Sequence, residues 1–390
     1  PRVPGEGNRL LHEVFDWSDP HELAAQFEAD LEWATGGAID LQVVEFRDLD
    51  AFPTFTDGFR YTPDEYVALR RANGPWHDTG TDFYELVESQ GLVDLVNSGQ
   101  VDEIWTFGDH YFNLLGEAWM GGPGSFFING PSFPDAGFDR AIAGYGFNYE
   151  RSVAEMLHNL SHRTENHGQR AFGSWDLNNP TSAFDLYSAN YLETAWGPYG
   201  VGTCHVPANA DDHYDYGDER VVDSYAFDFA NYPDMTWETR PVSRDTWAMG
   251  PVTDDHRDYM NWYFGMMPRN DGADADGRAA NWFKYIWDFN SYEPDTGLGR
   301  QEDAVGAGPI VRAPGAASYD LTVRYYDDSG VDTSTLDLND VRIIAPGGAV
   351  LTPVSLAIGD EAATTAGTAR TVTYTLQPPG GWWDPADNGW

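Results

Sequence analysis

The chain has one cysteine, one lysine and few basic residues of any kind. With Cys204 alone, no intrachain disulfide can form, so the fold has no covalent staple of that type. No apolar run approaches the roughly 20 residues that a membrane helix needs, which argues against a bilayer span. Lys and Arg number 22 against 63 Asp and Glu, giving a formal net charge of −41 over 390 residues. Such a surface repels phosphate backbones and anionic lipid headgroups, so nucleic acid and anionic membranes are excluded as expected partners. Acidity of this degree also reads as adaptation to salt. What the chain has in quantity is aromatic: 15% Phe, Trp and Tyr within an apolar fraction of 41%. That is enough core-forming surface for a folded protein of two domains.

Periodicity divides the chain. Asp19-Pro20 followed by HELAAQFEADLEWA predicts a capped helix, with Asp19 as N-cap and Pro20 in the first turn. Strands are predicted at 38–46, 101–107, 125–128 and 140–147, with helices over 82–97 and from near Asn148. Strands alternating with helices predict an α/β body with a mixed, partly parallel sheet over residues 1–295. The Gly-rich segment 296–312 reads as a linker. Beyond it, YDLTVRYY (319–326), VRII, AVLTPVSLAI and RTVTYTL alternate with period two between turn residues, so 313–390 is expected to be a small all-β sandwich.

YYDDSGVDTSTLDLNDVRI and GGWWDPADNGW resemble an Ig-like module common in secreted bacterial proteins. In that family the asparagine-glycine turn precedes a last strand, so the resemblance implies a sandwich whose final strand is missing or supplied by another chain. The extended N-terminal segment PRVPGEGNRLL is the expected donor, which would make the protein a homo-oligomer or filament through its Ig-like domain. The body, in VDEIWTFG, GFNYERSVAEMLHNLSHRTE and the NWYFGMMPR and NWFKYI pair, is similar to uncharacterised secreted bacterial proteins. Together these resemblances imply a secreted or cell-surface location and no particular activity.

The sharpest chemical pattern lies between Tyr149 and Glu165. At 100° per residue, Glu155, His158, His162 and Glu165 form one narrow stripe, opposite Val153, Met156, Leu157 and Leu160. Histidines four apart on a helix can reach one ion, and a carboxylate three before a histidine is a spacing that metal sites also use. A third ligand must come from elsewhere. His205, in the polar segment GTCHVPANADDHYDYGD, is the expected one, with His110 and His213 in reserve. The competing reading is an ordinary solvated helix face with surface ion pairs. No His-Glu-x-x-His occurs, so the match is to spacing alone.

Asp109 and His110 follow a predicted strand, at the edge where α/β proteins place ligand sites, and a capped turn would look the same. The Asp-Thr-Gly triplets at 78–80 and 295–297 lack the apolar strand that an aspartic protease requires. The acidic run 270–277 lacks the end ligands of a calcium loop. The aromatic clusters 261–267 and 281–289 read either as core or as a sugar-binding groove. The sequence thus predicts a secreted hydrolase acting on an extracellular peptide or glycan. Its cofactor would be a divalent metal, zinc by ligand type, held by His158, His162 and His205, with Glu155 as general base and Asp109 and His110 as further catalytic candidates. A surface or filament subunit and a metal-free carbohydrate-active protein are the alternatives.

Overall fold

The computed structural model describes residues 1–112, 118–248, 254–291, 303–307, 317–327, 333–341, 343–344, 350–359 and 368–378. The chain divides into two compact units, Pro1–Glu293 and Pro294–Trp390.

In the first unit, Glu103–Gly108 pairs in parallel with Ile142–Asn148. Ala118–Gly121 lies antiparallel on the far side of Ile142–Asn148, and Ser132–Phe133 pairs in parallel with Ala118–Gly121. The sheet is therefore mixed and partly parallel. Ile142, Ala143, Tyr145 and Phe147 of the inner strand are all fully buried. A strand covered on both faces reads as a continuous apolar run, as this one does. Gly144 within it is needed for packing: a Cβ there would stand 2.2 Å from the indole of Trp119.

The helix Pro20–Thr35 starts where the sequence predicts, with the Asp19 carboxylate accepting from the His21 N–H. The helix Val153–Phe172 is the spine of the unit. Ser152 caps its first turn, and it packs against Pro20–Thr35, Asp255–Met266 and the sheet. Arg163, 1% exposed, ties it to the sheet through Glu103 at 2.5 Å and the Tyr145 hydroxyl at 2.9 Å. The aromatic clusters are core: Trp262, Tyr263, Phe264, Trp282 and Phe283 are all buried. The groove reading of those clusters is thereby corrected.

Other expectations also change. Residues 38–46 form no strand; they run as an irregular strap with Val43 and Val44 exposed, while Ile39 and Leu41 rest on the core. The apolar alternation there marks a surface crossing with no partner strand. Residues 125–128 are likewise irregular, with Phe127 exposed and Ile128 buried. The helix over 82–97 is two helices, Phe83–Ser89 and Leu92–Asn97, because Gly91 turns left-handed at φ +60°. The N-terminal segment is not an unpaired donor: Arg2–Val3 pairs antiparallel with Arg9–Leu10, and Val3 is fully buried.

The second unit is described in part. Asp303–Ala307, Tyr319–Asp327, Thr368–Leu376 and Ser355–Ile358 form an antiparallel sheet in that order. Ile343–Ile344 pairs separately with Val350–Leu351. Val323, Val372 and Tyr374 make its small core. The segment read as a linker thus contains a strand, Asp303–Ala307. Residues 296–302 and 308–312, and the GGWWDPADNGW end, lie outside the described residues.

Candidate functional site

The stripe of the Val153–Phe172 helix faces inward. His158 is 4% exposed and His162 is half-buried, so the solvated-face reading is corrected for both histidines. The helix is buried almost all round, because its second covering comes from the loop that precedes Val222–Ser224 and from the helix Asp255–Met266.

That loop delivers Cys204 and His205. Gly202 takes φ +103°, a conformation closed to most side chains, and a Cβ there would meet the Val206 carbonyl at 2.4 Å. The tight turn that follows is held by its own groups: Thr203 N–H donates to the Val206 carbonyl at 2.9 Å, and Thr203 Oγ1 accepts from the Val206 N–H at 3.0 Å. Two buried tyrosines and the half-buried Glu165 brace it from outside. The Tyr259 hydroxyl donates to the Thr203 carbonyl at 2.8 Å, and the Tyr216 hydroxyl to the Cys204 carbonyl at 2.7 Å. Glu165 Oε1 accepts from the Cys204 N–H at 2.8 Å.

His158, His162, Cys204 and His205 each offer one ligand atom, and these four atoms lie within 4.8 Å of one another. His158 Nε2 stands 3.1 Å from His162 Nε2, and Cys204 Sγ stands 3.9 Å from His162 Nε2. A tetrahedral ion of zinc type separates its nitrogen and sulfur ligands by about 3.3–3.6 Å. These two spacings fall on either side of that range, Sγ stands nearer to His162 Nδ1, at 3.4 Å, and the donor types are those such an ion takes. The far nitrogens of the two helix histidines also have partners. His162 Nδ1 lies 3.5 Å from Glu165 Oε2, and His158 Nδ1 lies 3.1 Å from His256 Nε2.

The electrostatics keep the donors available. Burial and then the neighbouring imidazoles push the His158 pKa down to about 2. Burial likewise lowers His205, with His162 adding to the effect and Glu165 opposing it. His256 is lowered by burial against the pull of Glu155 and Asp254. Neutral imidazoles carry the lone pair that a cation needs.

The other expected residues sit elsewhere. Asp109, His110 and Glu150 form a second group at the end of Glu103–Gly108. There Arg70 Nε pairs with Asp109 Oδ2 at 2.8 Å and its Nη2 with Glu150 Oε2 at 2.5 Å. Glu150 Oε1 holds His110 Nδ1 at 2.8 Å. The Arg70 guanidinium pairs with both carboxylates, so Asp109 and Glu150 belong to an ion-pair network in which Asp109 is buried and His110 exposed. Asp109 N-terminally caps the turn into Tyr111, accepting its N–H at 3.0 Å. Glu155 pairs with Arg151 at 2.8 Å on the half-exposed side of its helix, and it is Glu165 that touches the ligand residues. His213 is exposed, its ring 6.3 Å from that of His205.

Cys204, Glu165 and His256 were not singled out by the sequence as site residues. Cys204 adjoins the chosen His205, and Glu165 lies one turn beyond His162 on the chosen stripe. His256 is 98 residues from His158, and no spacing rule reaches it. Compared with family models, curated proteins and solved structures, the chain matches none.

Proposed function

We propose that this protein is a metalloprotein with a zinc-type centre held by His158, His162, Cys204 and His205. The observation that carries the reading is the convergence of four donors of the right type within 4.8 Å of one another. Two histidines four apart on a rigid helix fix one edge of the tetrahedron, and adjacent residues of a braced loop supply the other. Glu165 Oε2, 3.3 Å from Cys204 Sγ, is the group to receive the thiol proton when the thiolate forms. Four protein ligands fill a tetrahedral shell, so the centre is of the closed kind that joins helix to loop and stabilises the fold.

Hydrolysis of an extracellular peptide or glycan is the second reading, and one observation favours it. The ligands are unequal: His158 and Cys204 are buried, whereas His162 and His205 are half-buried, and His205 packs under the exposed Tyr214 at 4.7 Å. His205 is then the ligand to yield its place to water, whose pKa a bound metal would lower. For the second unit the reading is an Ig-like sandwich of a secreted protein, supported by its antiparallel four-stranded sheet and the separate strand pair.

Loading the metal-stripped protein with cobalt tests the centre. Tetrahedral Co(II) with one thiolate gives intense visible bands and a near-ultraviolet sulfur charge-transfer band, and Cys204→Ser is expected to lose the latter. Absence of both bands in the wild type would leave a metal-free chain of hydrogen-bonded histidines. Chelator-reversible cleavage of peptide or glycan pools separates the hydrolase from the closed centre.

A further inference from the structure

The helix Asp255–Met266 contributes nothing to the four-donor set, yet its first turn reaches the centre through His256. His256 Nε2 lies 3.1 Å from His158 Nδ1, on the side of the ring away from His162. The His256 ring lies flat on Tyr216, with centroids 4.3 Å apart and planes 8° apart. Tyr216 is itself fixed, its hydroxyl donating to the Cys204 carbonyl, and its ring packed on Tyr259 at 5.5 Å. One clamped ring thus touches both the histidine that orients His158 and the backbone of the cysteine ligand.

We infer that His256 is the positioning residue of the centre: it accepts the His158 Nδ1–H and thereby turns the His158 Nε2 lone pair toward the other donors. This deepens the metal-centre reading and rests on it. The argument is one of donors and acceptors. A neutral imidazole has one N–H and one lone pair. For His158 Nε2 to act as a ligand its proton must reside on Nδ1, where a buried N–H requires an acceptor. The His256 Nε2 lone pair is the nearer acceptor, at 3.1 Å; the Tyr216 oxygen stands farther off, at 3.4 Å. At His162 the group beside Nδ1 is a carboxylate, Glu165 Oε2 at 3.5 Å, the commoner kind of partner. His158 has a neutral ring in that place, consistent with its deeper burial, where a second carboxylate would be costly to desolvate.

The test compares two substitutions at His256 in the full chain. Gln places an amide oxygen where Nε2 stands and preserves the acceptor; Phe preserves the flat stack on Tyr216 and removes it. Zinc affinity is read by competition with a chromophoric chelator, the Co(II) spectrum reports ligand geometry, and melting of the metal-free protein controls for packing. His256→Phe is expected to bind zinc about 10–100-fold more weakly with altered Co(II) bands. His256→Gln should stay within a few-fold of wild type. Wild-type zinc binding retained in His256→Phe, or equal loss in both variants, would overturn the inference. A wild type that takes no zinc would instead sink the centre itself. Should His256→Phe fail to fold, His256→Leu is the second acceptor-free variant, read against Gln in the same way.

Discussion

Among the described residues of the first unit, two groups of side chains could hold a metal, one threaded by an arginine and the other built of imidazoles and a thiol. In the Asp109, His110 and Glu150 group, Arg70 stands among the carboxylates, stacked over Tyr111 at 4.4 Å. In the His158, His162, Cys204 and His205 group, imidazoles and a thiol converge on one another, and burial lowers the pKa of His158 and His205. Converging donors are therefore not enough to mark a site. The first group has its counter-ion built in. The second brings imidazole nitrogens and a sulfur together, a donor set that a cation would satisfy.

The sharpest way to break this contrast is to remove ligands. The double variant His158→Ala and His162→Ala should lose its metal entirely while keeping its far-ultraviolet dichroism. Its melting point should become indifferent to chelator, whereas the wild type should lose on the order of 4 kcal/mol on stripping if the ion is present at about 1,000 times its Kd. Equal metal content in variant and wild type would make the two groups alike.

Removing Arg70 should act on stability alone. Arg70→Met leaves the fully buried Asp109 carboxylate without its partner, which typically costs about 3–5 kcal/mol. Burial already raises the Asp109 pKa against the pull of Arg70. In the variant the loss should shrink as pH falls and Asp109 protonates. Denaturant unfolding measures the cost, and metal content should not move. A change in metal content would mean that the groups are coupled.

A histidine outside both groups separates burial from ligation. His167 is 3% exposed between Phe126 and Phe289, and burial, then Arg163 and Arg170, holds its pKa well below the ordinary value. Below about pH 6.5 the unfolded chain takes up a proton at this residue that the folded chain refuses. Its stabilisation is therefore present above pH 6.5 and lost as pH falls. His167→Gln should flatten the stability slope by about 1.4 kcal/mol per pH unit between pH 6 and 4.5, measured by denaturant titrations with chelator present. An unchanged slope would remove burial as the reason these histidines stay neutral.

The smallest effect expected is from salt. With 63 acidic and 22 basic residues, screening should raise the melting point across a salt series. Both groups should respond alike, since their pairs are mostly buried. A flat or falling series would mean that the surface charges are spaced harmlessly.

The same contrast shows what the sequence could reveal. Helical periodicity brought Glu155, His158, His162 and Glu165 to one stripe, and the four-residue spacing of the histidines was enough to propose an ion. That the stripe is covered as well as the apolar side was not legible, because its cover is a loop and a helix that arrive 40 to 100 residues later. The places of Cys204 and His256 beside the helix histidines depend on that long-range packing, as does the pairing of Arg70 with Asp109 and Glu150. Locally encoded elements were read well: the Asp19 cap, the inner strand Ile142–Asn148 and the period-two strands of the second unit. Where apolar alternation lacked a neighbouring strand, at 38–46, pattern alone misled. Hydrogen-bonded pairing, unlike periodicity, requires a second segment.

Elemental analysis of the protein purified without chelator tests the central claim most directly. The account predicts close to one zinc-type transition-metal ion per chain, falling to none when His158 and His162 are replaced by Ala. Wild-type protein that carries no transition metal, and takes up none when zinc is supplied, would contradict it.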